Sequence, residues 1–341
     1  MFFITNKCVM SRLEEATVER YGYRAFGLNV VSEIPFPGLT PMFSEDCPAD
    51  VVIEIGDLTA QWSEWCTPNA NVVIQDHFVM FQFPNTATYL VTEGKRIVVS
   101  PMSGSCQEKL RLYLDGYCMA IILLQRNVLP LHGTAIAIDG KAYAIIGYSG
   151  AGKSTLAKAF LDRGYAFLAD DVVPLYLTAD THSAMVMPAL PEQKLWEESL
   201  DQLGMEKRGW RPIYEKNVTK DHGLTKRRTK FAIPVAQFAD KPLPLGGIFE
   251  LVKTEKQEGA RLTLMLKMER LRSIMHHTFH RSLISSLNLM EWHLKATARI
   301  VNHTDLFKLE RSTSCFSAPE LVSVIVDQVQ KEYLDERQYS T

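Results

Sequence analysis

The chain contains Gly147-Tyr148-Ser149-Gly150-Ala151-Gly152-Lys153-Ser154, which follows the pattern GxxxxGKS of a phosphate-binding loop. The apolar run at 142–146 predicts a strand before this loop, and residues 154–162 predict a helix after it. In that setting the glycines let backbone N–H groups face phosphate oxygens, and the helix N-terminus adds partial positive charge. The alternative, a glycine turn without a ligand, is disfavoured because the strand and helix contexts both hold.

The loop therefore predicts a bound nucleoside triphosphate with Mg²⁺. ATP is the expected donor, although the loop alone does not select among triphosphates. We expect Lys153 to neutralise the β- and γ-phosphates and the Ser154 hydroxyl to bind Mg²⁺. The residues predicted to contact the nucleotide are Gly147, Ser149, Gly150, Ala151, Gly152, Lys153, Ser154 and Thr155.

Two adjacent carboxylates follow a second apolar run. Residues 165–169 predict a buried strand that ends in Asp170 and Asp171, beside the strand that feeds the loop. Neighbouring side chains in an extended chain face opposite ways, so one carboxylate can hold Mg²⁺ while the other deprotonates an attacking hydroxyl. The alternative is a solvated turn. The pair follows Lys153 closely, whereas motor and switch NTPases mostly place the magnesium-supporting Asp later.

The predicted elements divide the chain into two parts. Short β-rich runs between residues 23 and 100, with a hairpin turn at Glu93-Gly94-Lys95, predict a small and largely antiparallel sheet. An amphipathic pattern predicts a linking helix at 107–126. Asp139-Gly140 predicts a hairpin whose second strand leads into the loop, and further helices are expected near 192–203 and 318–334. We place the domains at 1–105 and 106–341.

Composition excludes several classes of protein. With 37 Lys plus Arg against 39 Asp plus Glu, the net charge of -2 gives no reason to expect binding to nucleic acid or to an anionic membrane. The six cysteines are scattered, without a CxxC pair, which argues against a zinc site or a disulfide framework. The start of the chain lacks the apolar core of a signal peptide. We expect a soluble cytoplasmic protein.

Taken together, three parts of the chain resemble the catalytic domain of bacterial HPr kinase/phosphorylase. They are Leu131-His132-Gly133 with the following hairpin, the loop at 147–154, and Leu168-Ala169-Asp170-Asp171. The resemblance implies an α/β fold with the P-loop kinase core shared by HPr kinase and phosphoenolpyruvate carboxykinase, preceded by a β-rich α+β domain. Two N-terminal segments, residues 23–28 and 34–39, look like the shorter HPr-kinase-like proteins found with lasso-peptide biosynthesis genes.

The resemblance also implies roles for particular residues. Asp170 becomes the general base, Asp171 a magnesium ligand, and His132 an active-site residue near the transferred phosphate; a lone histidine would otherwise be read as a packed residue. Glu192 is the candidate for the family's glutamate-bearing signature, which is not present in clear form, so the reverse phosphorylase reaction stays open. HPr kinases assemble as hexamers, which makes a homo-oligomer a further implication.

A basic stretch at 216–230 offers a partner for an anionic substrate. It holds six basic residues against one acid. We predict that Arg227 and Arg228 clamp the carboxylate of a peptide acceptor, the alternative being a solvated loop.

The preferred interpretation is an ATP- and Mg²⁺-dependent kinase that phosphorylates the C-terminal serine of a lasso-peptide precursor, with the N-terminal domain as a recognition module. Two alternatives stay open. The same core can phosphorylate a small metabolite or a carrier protein, or the chain can be a regulatory or assembly protein that hydrolyses ATP without an acceptor.

Overall fold

The computed structural model describes residues 19–39, 48–75, 77–178, 184–219, 225–255, 259–313 and 317–338. Within them the chain forms two seven-stranded sheets and one three-stranded sheet, with helices packed between and around them. The structure is therefore a mixed α/β protein. The predicted boundary between domains near residue 105 stays a prediction, and one hydrophobic core extends across both parts.

The first sheet has the order β1-β2-β3-β7-β6-β5-β4. As expected, the sheet is largely antiparallel, with four antiparallel pairings among the described strands, whereas β3 pairs in parallel with both β2 and β7. The hairpin at Glu93-Gly94-Lys95 is present as the β6–β7 turn. The elements are β1 (Tyr21–Ala25), β2 (Leu28–Ser32), β3 (Val51–Ile55), α1 (Thr59–Trp65), β4 (Val72–Gln75), β5 (Phe78–Phe83), β6 (Ala87–Thr92) and β7 (Arg96–Pro101).

The linking helix is interrupted by one turn of π-helix. It consists of α2 (Gln107–Tyr113), the π-helix Leu114–Cys118, and α3 (Met119–Gln125). The third part is apolar on all sides and buried, which accounts for its position between the two large sheets. A π-helical turn is rare and is often found at functional sites, and this one carries the buried Asp115.

The second sheet begins with the predicted hairpin, in which β8 (Leu129–Ile138) and β9 (Lys141–Ile146) pair antiparallel. After the loop comes α4 (Lys153–Asp162), followed by β10 (Ala166–Leu177) and β11 (Ala184–Val186). Two expectations were wrong here. The strand that carries Asp170 continues to Leu177, and its neighbour is β8, not the strand that feeds the loop. Both carboxylates therefore lie in the middle of a strand.

A small sheet with the order β12-β14-β13 lies over this region. Its elements are β12 (Glu192–Trp196), α5 (Glu197–Gln202), β13 (Arg211–Thr219) and β14 (Thr225–Pro234). The helix expected from residue 192 was wrong in its first part, which is strand. The basic stretch is likewise not a loop where the structure describes it, because residues 216–219 pair with 225–228. Residues 220–224 of that stretch lie outside the described residues.

The rest of the chain completes the second sheet, whose order is β11-β10-β8-β9-β15-β17-β16. Strands β9, β15 and β17 run parallel. The elements are β15 (Leu243–Thr254), β16 (Arg261–Leu264), α6 (Lys267–His277), α7 (Arg281–Ser286), α8 (Met290–His303), β17 (Asp305–Ser312) and α9 (Ala318–Gln338). No helix among the described residues is long and apolar enough to span a bilayer.

Candidate functional site

The phosphate-loop motif connects the end of β9 to the start of α4, as predicted. Gly147 adopts φ +147°, and a Cβ there would lie 2.6 Å from the carbonyl oxygen of Leu251, so only glycine fits this close approach. The Lys153 ammonium donates hydrogen bonds to the carbonyl oxygens of Gly147 (2.7 Å) and Tyr148 (3.3 Å). Lys153 is buried, and this burial lowers its pKa. Backbone carbonyl groups of the loop thus bind the buried ammonium group of Lys153.

The remaining loop residues differ in their surroundings. Tyr148, Ser149 and Gly150 are exposed, Ala151 is buried, and Gly152 is half-buried. Thr155 faces another element, donating a hydrogen bond from its hydroxyl to the Ser199 hydroxyl at 3.0 Å. Beside the start of α4 lies an open cavity of about 330 Å³. It is lined in part by Gly152, Thr155, Gln202, Lys253, Arg311 and Thr313.

Asp170 lies against the loop. Its Oδ1 accepts a hydrogen bond from the Ser154 hydroxyl at 3.1 Å, and its Oδ2 accepts one from the backbone N–H of Lys194 at 2.9 Å. Burial and the adjacent charge of Asp171 raise the pKa of Asp170 to about 6. The structure therefore places one carboxylate next to the hydroxyl that the motif assigns to magnesium.

Asp171 has different partners. Its Oδ2 lies 3.0 Å from the Lys230 ammonium and 3.8 Å from the Lys194 ammonium. Burial would raise the pKa of Asp171, but the charges of Lys230 and Lys194 outweigh burial and hold that pKa well below its usual range. Asp171 also has φ +65°, which is uncommon for a residue other than glycine and is found at functional sites.

His132 lies on β8 opposite Val172 of β10. Its Nδ1 is 3.2 Å from the carbonyl oxygen of Asp171, so this nitrogen carries the hydrogen and Nε2 is the acceptor. Burial, together with the charge of Lys153, lowers the pKa of His132 to about 4. The structure thus brings His132, Lys153, Asp170 and Asp171 together, and their predicted roles stay predictions.

Sequence reasoning missed two buried charges. Lys194 forms an ion pair of 2.9 Å with Asp115, and both side chains are less than a tenth exposed. Asp115 belongs to the π-helix, so the pair connects the linking helix to Asp170 and Asp171, which Lys194 also contacts. No local pattern marks Asp115. Lys194 lay in a segment expected to be helix, and Lys230 was one of several basic residues in the stretch without being singled out.

Glu192, Arg227 and Arg228, the residues predicted to contact the substrate, lie in different places. Glu192 forms an ion pair with Arg211, which also pairs with Glu108 of α2. Arg228 pairs with Glu198 at 2.9 Å, whereas Arg227 pairs with Glu215. Alternate side chains of a strand share a face, so Arg228 shares the face of β14 that carries Lys230, whereas Arg227 lies on the other face. The predicted joint clamp is therefore reduced to one arginine beside the site.

The donor set fits magnesium. Ser154, Asp170 and Asp171 offer hydroxyl and carboxylate oxygens, the hard ligands that Mg²⁺ prefers, and Mg²⁺ commonly uses only one or two carboxylates together with phosphates and water. Over the described ranges no group of three or more His, Cys, Asp or Glu side chains could form a self-sufficient metal site.

Comparison with known proteins gives a limited result. No protein-family model matches the chain. An HPr kinase/phosphorylase of Azoarcus sp. (strain BH72) is 39% identical over 79 residues, which are 23% of this chain and 23% of that protein. An HPr kinase/phosphorylase of Lactobacillus gasseri is 29% identical over 106 residues, covering 28% of this chain and 33% of that protein.

Among solved structures, the Hpr(Ser) kinase/phosphatase from Coxiella burnetii covers 60% of this chain and 97% of its own, with 14% identity and a TM-score of 0.30.

The fold and the site define a mixed α/β protein with a phosphate loop beside two carboxylates. The sequence matches confirm the predicted resemblance to HPr kinase/phosphorylase over about a quarter of the chain, and the likeness to the lasso-peptide subgroup stays a prediction. It spans only about a quarter to a third of the length of the curated relatives it matches, and its activity is therefore a matter for proposal.

Proposed function

We propose that the chain is an ATP- and Mg²⁺-dependent kinase that transfers a phosphoryl group to a serine hydroxyl of a peptide. The observation that carries this proposal is the hydrogen bond between the Ser154 hydroxyl and the Asp170 carboxylate. It brings the first residues of α4 and the middle of β10 to one point, where a terminal phosphate can meet both an amide-lined loop and a carboxylate.

The donor side consists of the loop and the cavity next to it. Backbone N–H groups at 147–154 and the Lys153 ammonium would surround the phosphates. The cavity beside the start of α4, with Lys253 and Arg311 in its wall, has space for the nucleoside. Mg²⁺, when bound, would neutralise charge on the β- and γ-phosphates. Each of these groups acts by positioning and charge stabilisation, which is the main protein contribution to phosphoryl transfer.

The acceptor side is formed by Asp171, Lys230 and His132. The Asp170 hydrogen bond to Ser154 favours exchanging the predicted roles, with Asp170 as the magnesium ligand and Asp171 as the carboxylate that orients the acceptor hydroxyl. The raised pKa of Asp170 favours the original assignment as base. Geometry decides here, because a dication at Ser154 would itself lower the pKa of a neighbouring carboxylate.

For the acceptor we propose the C-terminal serine of a lasso-peptide precursor, with the N-terminal domain as recognition module. The resemblance at 23–28 and 34–39 supports this choice, and a terminal carboxylate suits the cations beside Asp171. The cytoplasmic location and a homo-oligomeric state are proposals on the same basis.

Transfer can be tested directly by mass spectrometry. Incubation with Mg²⁺, ATP and a precursor peptide ending in serine should add one phosphate to the terminal residue, and Lys153→Met should abolish this addition because the β- and γ-phosphates lose their cation. ADP release without a phosphorylated peptide would favour the regulatory alternative. Phosphorylation of a metabolite or carrier protein in place of the peptide would favour the alternative of a kinase with that acceptor.

Arg228 should contribute to recognition of the terminal carboxylate, and Arg227 should not. In Arg228→Gln we expect the KM for the peptide to rise about tenfold, equivalent to about 1.4 kcal/mol, because one charge-assisted contact is lost. Arg227→Gln is the matched control on the opposite face of the same strand.

The second measurement uses a peptide with an amidated C-terminus. The wild-type protein should bind it more weakly than the free acid, and Arg228→Gln should remove that difference. Equal KM values for wild type and Arg228→Gln would contradict the assignment.

A further inference from the structure

Six aromatic side chains form a continuous row between the N-terminal sheet and the catalytic residues. Ring centroids are 3.6 Å apart for Phe83 and Tyr113, and 5.1 Å apart for Phe83 and Tyr117. Tyr117 lies 4.1 Å from His280 and 6.0 Å from Phe279. Phe279 in turn is 5.2 Å from His132. We call this set, Phe83, Tyr113, Tyr117, His280, Phe279 and His132, the aromatic row.

The row is partly accessible and is most exposed at Tyr117. None of its six members belongs to the buried class, and Tyr117 in its middle is 38% exposed. An exposed aromatic ring within a connected aromatic set is typical of interaction surfaces, in which Tyr, Trp and Phe are enriched.

The π-helical turn that carries Tyr117 is connected to Asp171 by two paths, and one of them follows the row. Asp115 and Tyr117 belong to the same π-helical turn. Asp115 reaches Asp171 through Lys194, while Tyr117 reaches it through Phe279 and His132, whose Nδ1 bonds the Asp171 carbonyl. A ligand lying on the row therefore extends directly to the acceptor side of the site.

Phe279 and His280, which lie between Tyr117 and His132, are fixed by their backbone. The Phe279 N–H donates to the Pro130 carbonyl oxygen at 2.8 Å, next to the start of β8. His280 has φ +54°, an uncommon conformation that turns its ring to Tyr117. The Nε2 of His280 is buried and makes no hydrogen bond to any residue that the structure describes.

The chemistry of the row selects its occupant. Four members of the row, Phe83, Tyr113, Tyr117 and Phe279, are uncharged aromatic side chains. The cations Lys230 and Arg228 lie on β14 of the small sheet, where the Lys230 ammonium is 3.0 Å from the Asp171 carboxylate. An apolar segment suits the first surface and a carboxylate suits the second.

We propose that the aromatic row binds apolar or aromatic side chains of the acceptor peptide, in the residues that precede the acceptor serine, and so brings the serine hydroxyl to Asp171. This inference rests on the proposed kinase function and names the chemistry of its substrate.

The test uses two synthetic peptides of equal length and net charge that end in serine. One has phenylalanine and leucine before the serine, and the other has glycine and alanine there. The wild-type protein should phosphorylate the first with a kcat/KM about tenfold higher or more, the size of effect that a central aromatic contact gives. Tyr117→Ala should lose this preference, and Tyr117→Phe should keep it.

Trp65→Ala is the matched control, since Trp65 is 37% exposed and packs on Phe78 in the N-terminal sheet, away from the row. It should keep the preference. A wild-type protein that treats both peptides alike, or a Tyr117→Ala protein that keeps the preference while losing activity on both, would overturn the inference without touching the kinase proposal.

Binding of the same peptides, labelled with fluorescein and followed by anisotropy, separates the two proposals. If neither peptide is phosphorylated but Tyr117→Ala removes preferential binding of the apolar one, the surface stands and the kinase function fails. If neither transfer nor preferential binding is seen, both fail.

Discussion

Lys194→Met is expected to lower the free energy of unfolding by about 3–5 kcal/mol, the cost of leaving one partner of a buried ion pair alone. The ammonium of Lys194 lies 2.9 Å from Asp115, and water reaches neither group well enough to replace it. Methionine fills a similar volume without the charge, so the loss reports the uncompensated carboxylate of Asp115. Urea unfolding, monitored by circular dichroism, measures the change.

Two comparisons isolate the cause. The double variant Asp115→Asn/Lys194→Met removes both charges and should recover most of the loss, because no buried charge is then left without a partner. Lys295→Met breaks a pair with Glu291 whose side chains are 75% and 81% exposed. That surface pair should change stability by well under about 1 kcal/mol. A double variant as unstable as Lys194→Met would point to lost packing instead.

The loss should also depend on pH. Burial raises the pKa of Asp115 to about 6 from an ordinary 3.8, although Lys194 opposes this rise. Without Lys194 the folded-state pKa moves higher still, and the folded chain binds a proton that the unfolded chain releases. The stabilisation from that proton is complete below the pKa of Asp115 in the unfolded chain. It is lost as the pH rises through the pKa of Asp115 in the folded chain. The deficit of Lys194→Met should therefore be larger at pH 8 than at pH 5.

Local patterns were enough to predict the local structure around residues 147–154. The motif at 147–154 specifies its own turn through glycines at fixed offsets, and Asp139-Gly140 specifies the hairpin before it, since both depend on neighbours in sequence. The apolar run at 165–169 likewise predicts a strand. Each of these features could be predicted because it depends only on residues that are close in sequence.

The parts that failed depend on distant segments. Nothing near Asp171 in sequence shows that β10 continues to Leu177, because that continuation pairs with residues 129–131 of β8. The basic stretch is an exception, since residues 216–219 pair with 225–228 inside it. It was taken for a loop because its cations hide the alternation of a strand. The pairing of Asp115 with Lys194 joins residues 79 positions apart, which no local periodicity can reveal.

Asp170→Asn and Asp171→Asn are expected to impair transfer in different ways. If Asp170 shares the metal with Ser154, Asp170→Asn should raise the Mg²⁺ concentration needed for half-maximal activity. Loss of a residue that only supports a metal ligand costs about 10–100-fold in metal affinity, and loss of a ligand should cost at least as much. Asp171→Asn should lower kcat by about 10²–10⁴-fold, the usual contribution of a group that handles the nucleophile's proton, with its Mg²⁺ dependence unchanged. Titration of activity with Mg²⁺ at saturating ATP distinguishes the two.

The reasoning behind this division is geometric. One carboxyl oxygen of Asp170 is already in hydrogen-bond contact with Ser154, whereas Asp171 is held by Lys230 beside His132. Asp139→Asn, at the exposed hairpin turn, controls for the change from carboxylate to amide and should leave both parameters as they are. The reverse pattern, with Asp171→Asn altering the Mg²⁺ requirement and Asp170→Asn altering kcat alone, would restore the roles first inferred from the resemblance, and it would mean that the contact with Ser154 breaks when nucleotide binds.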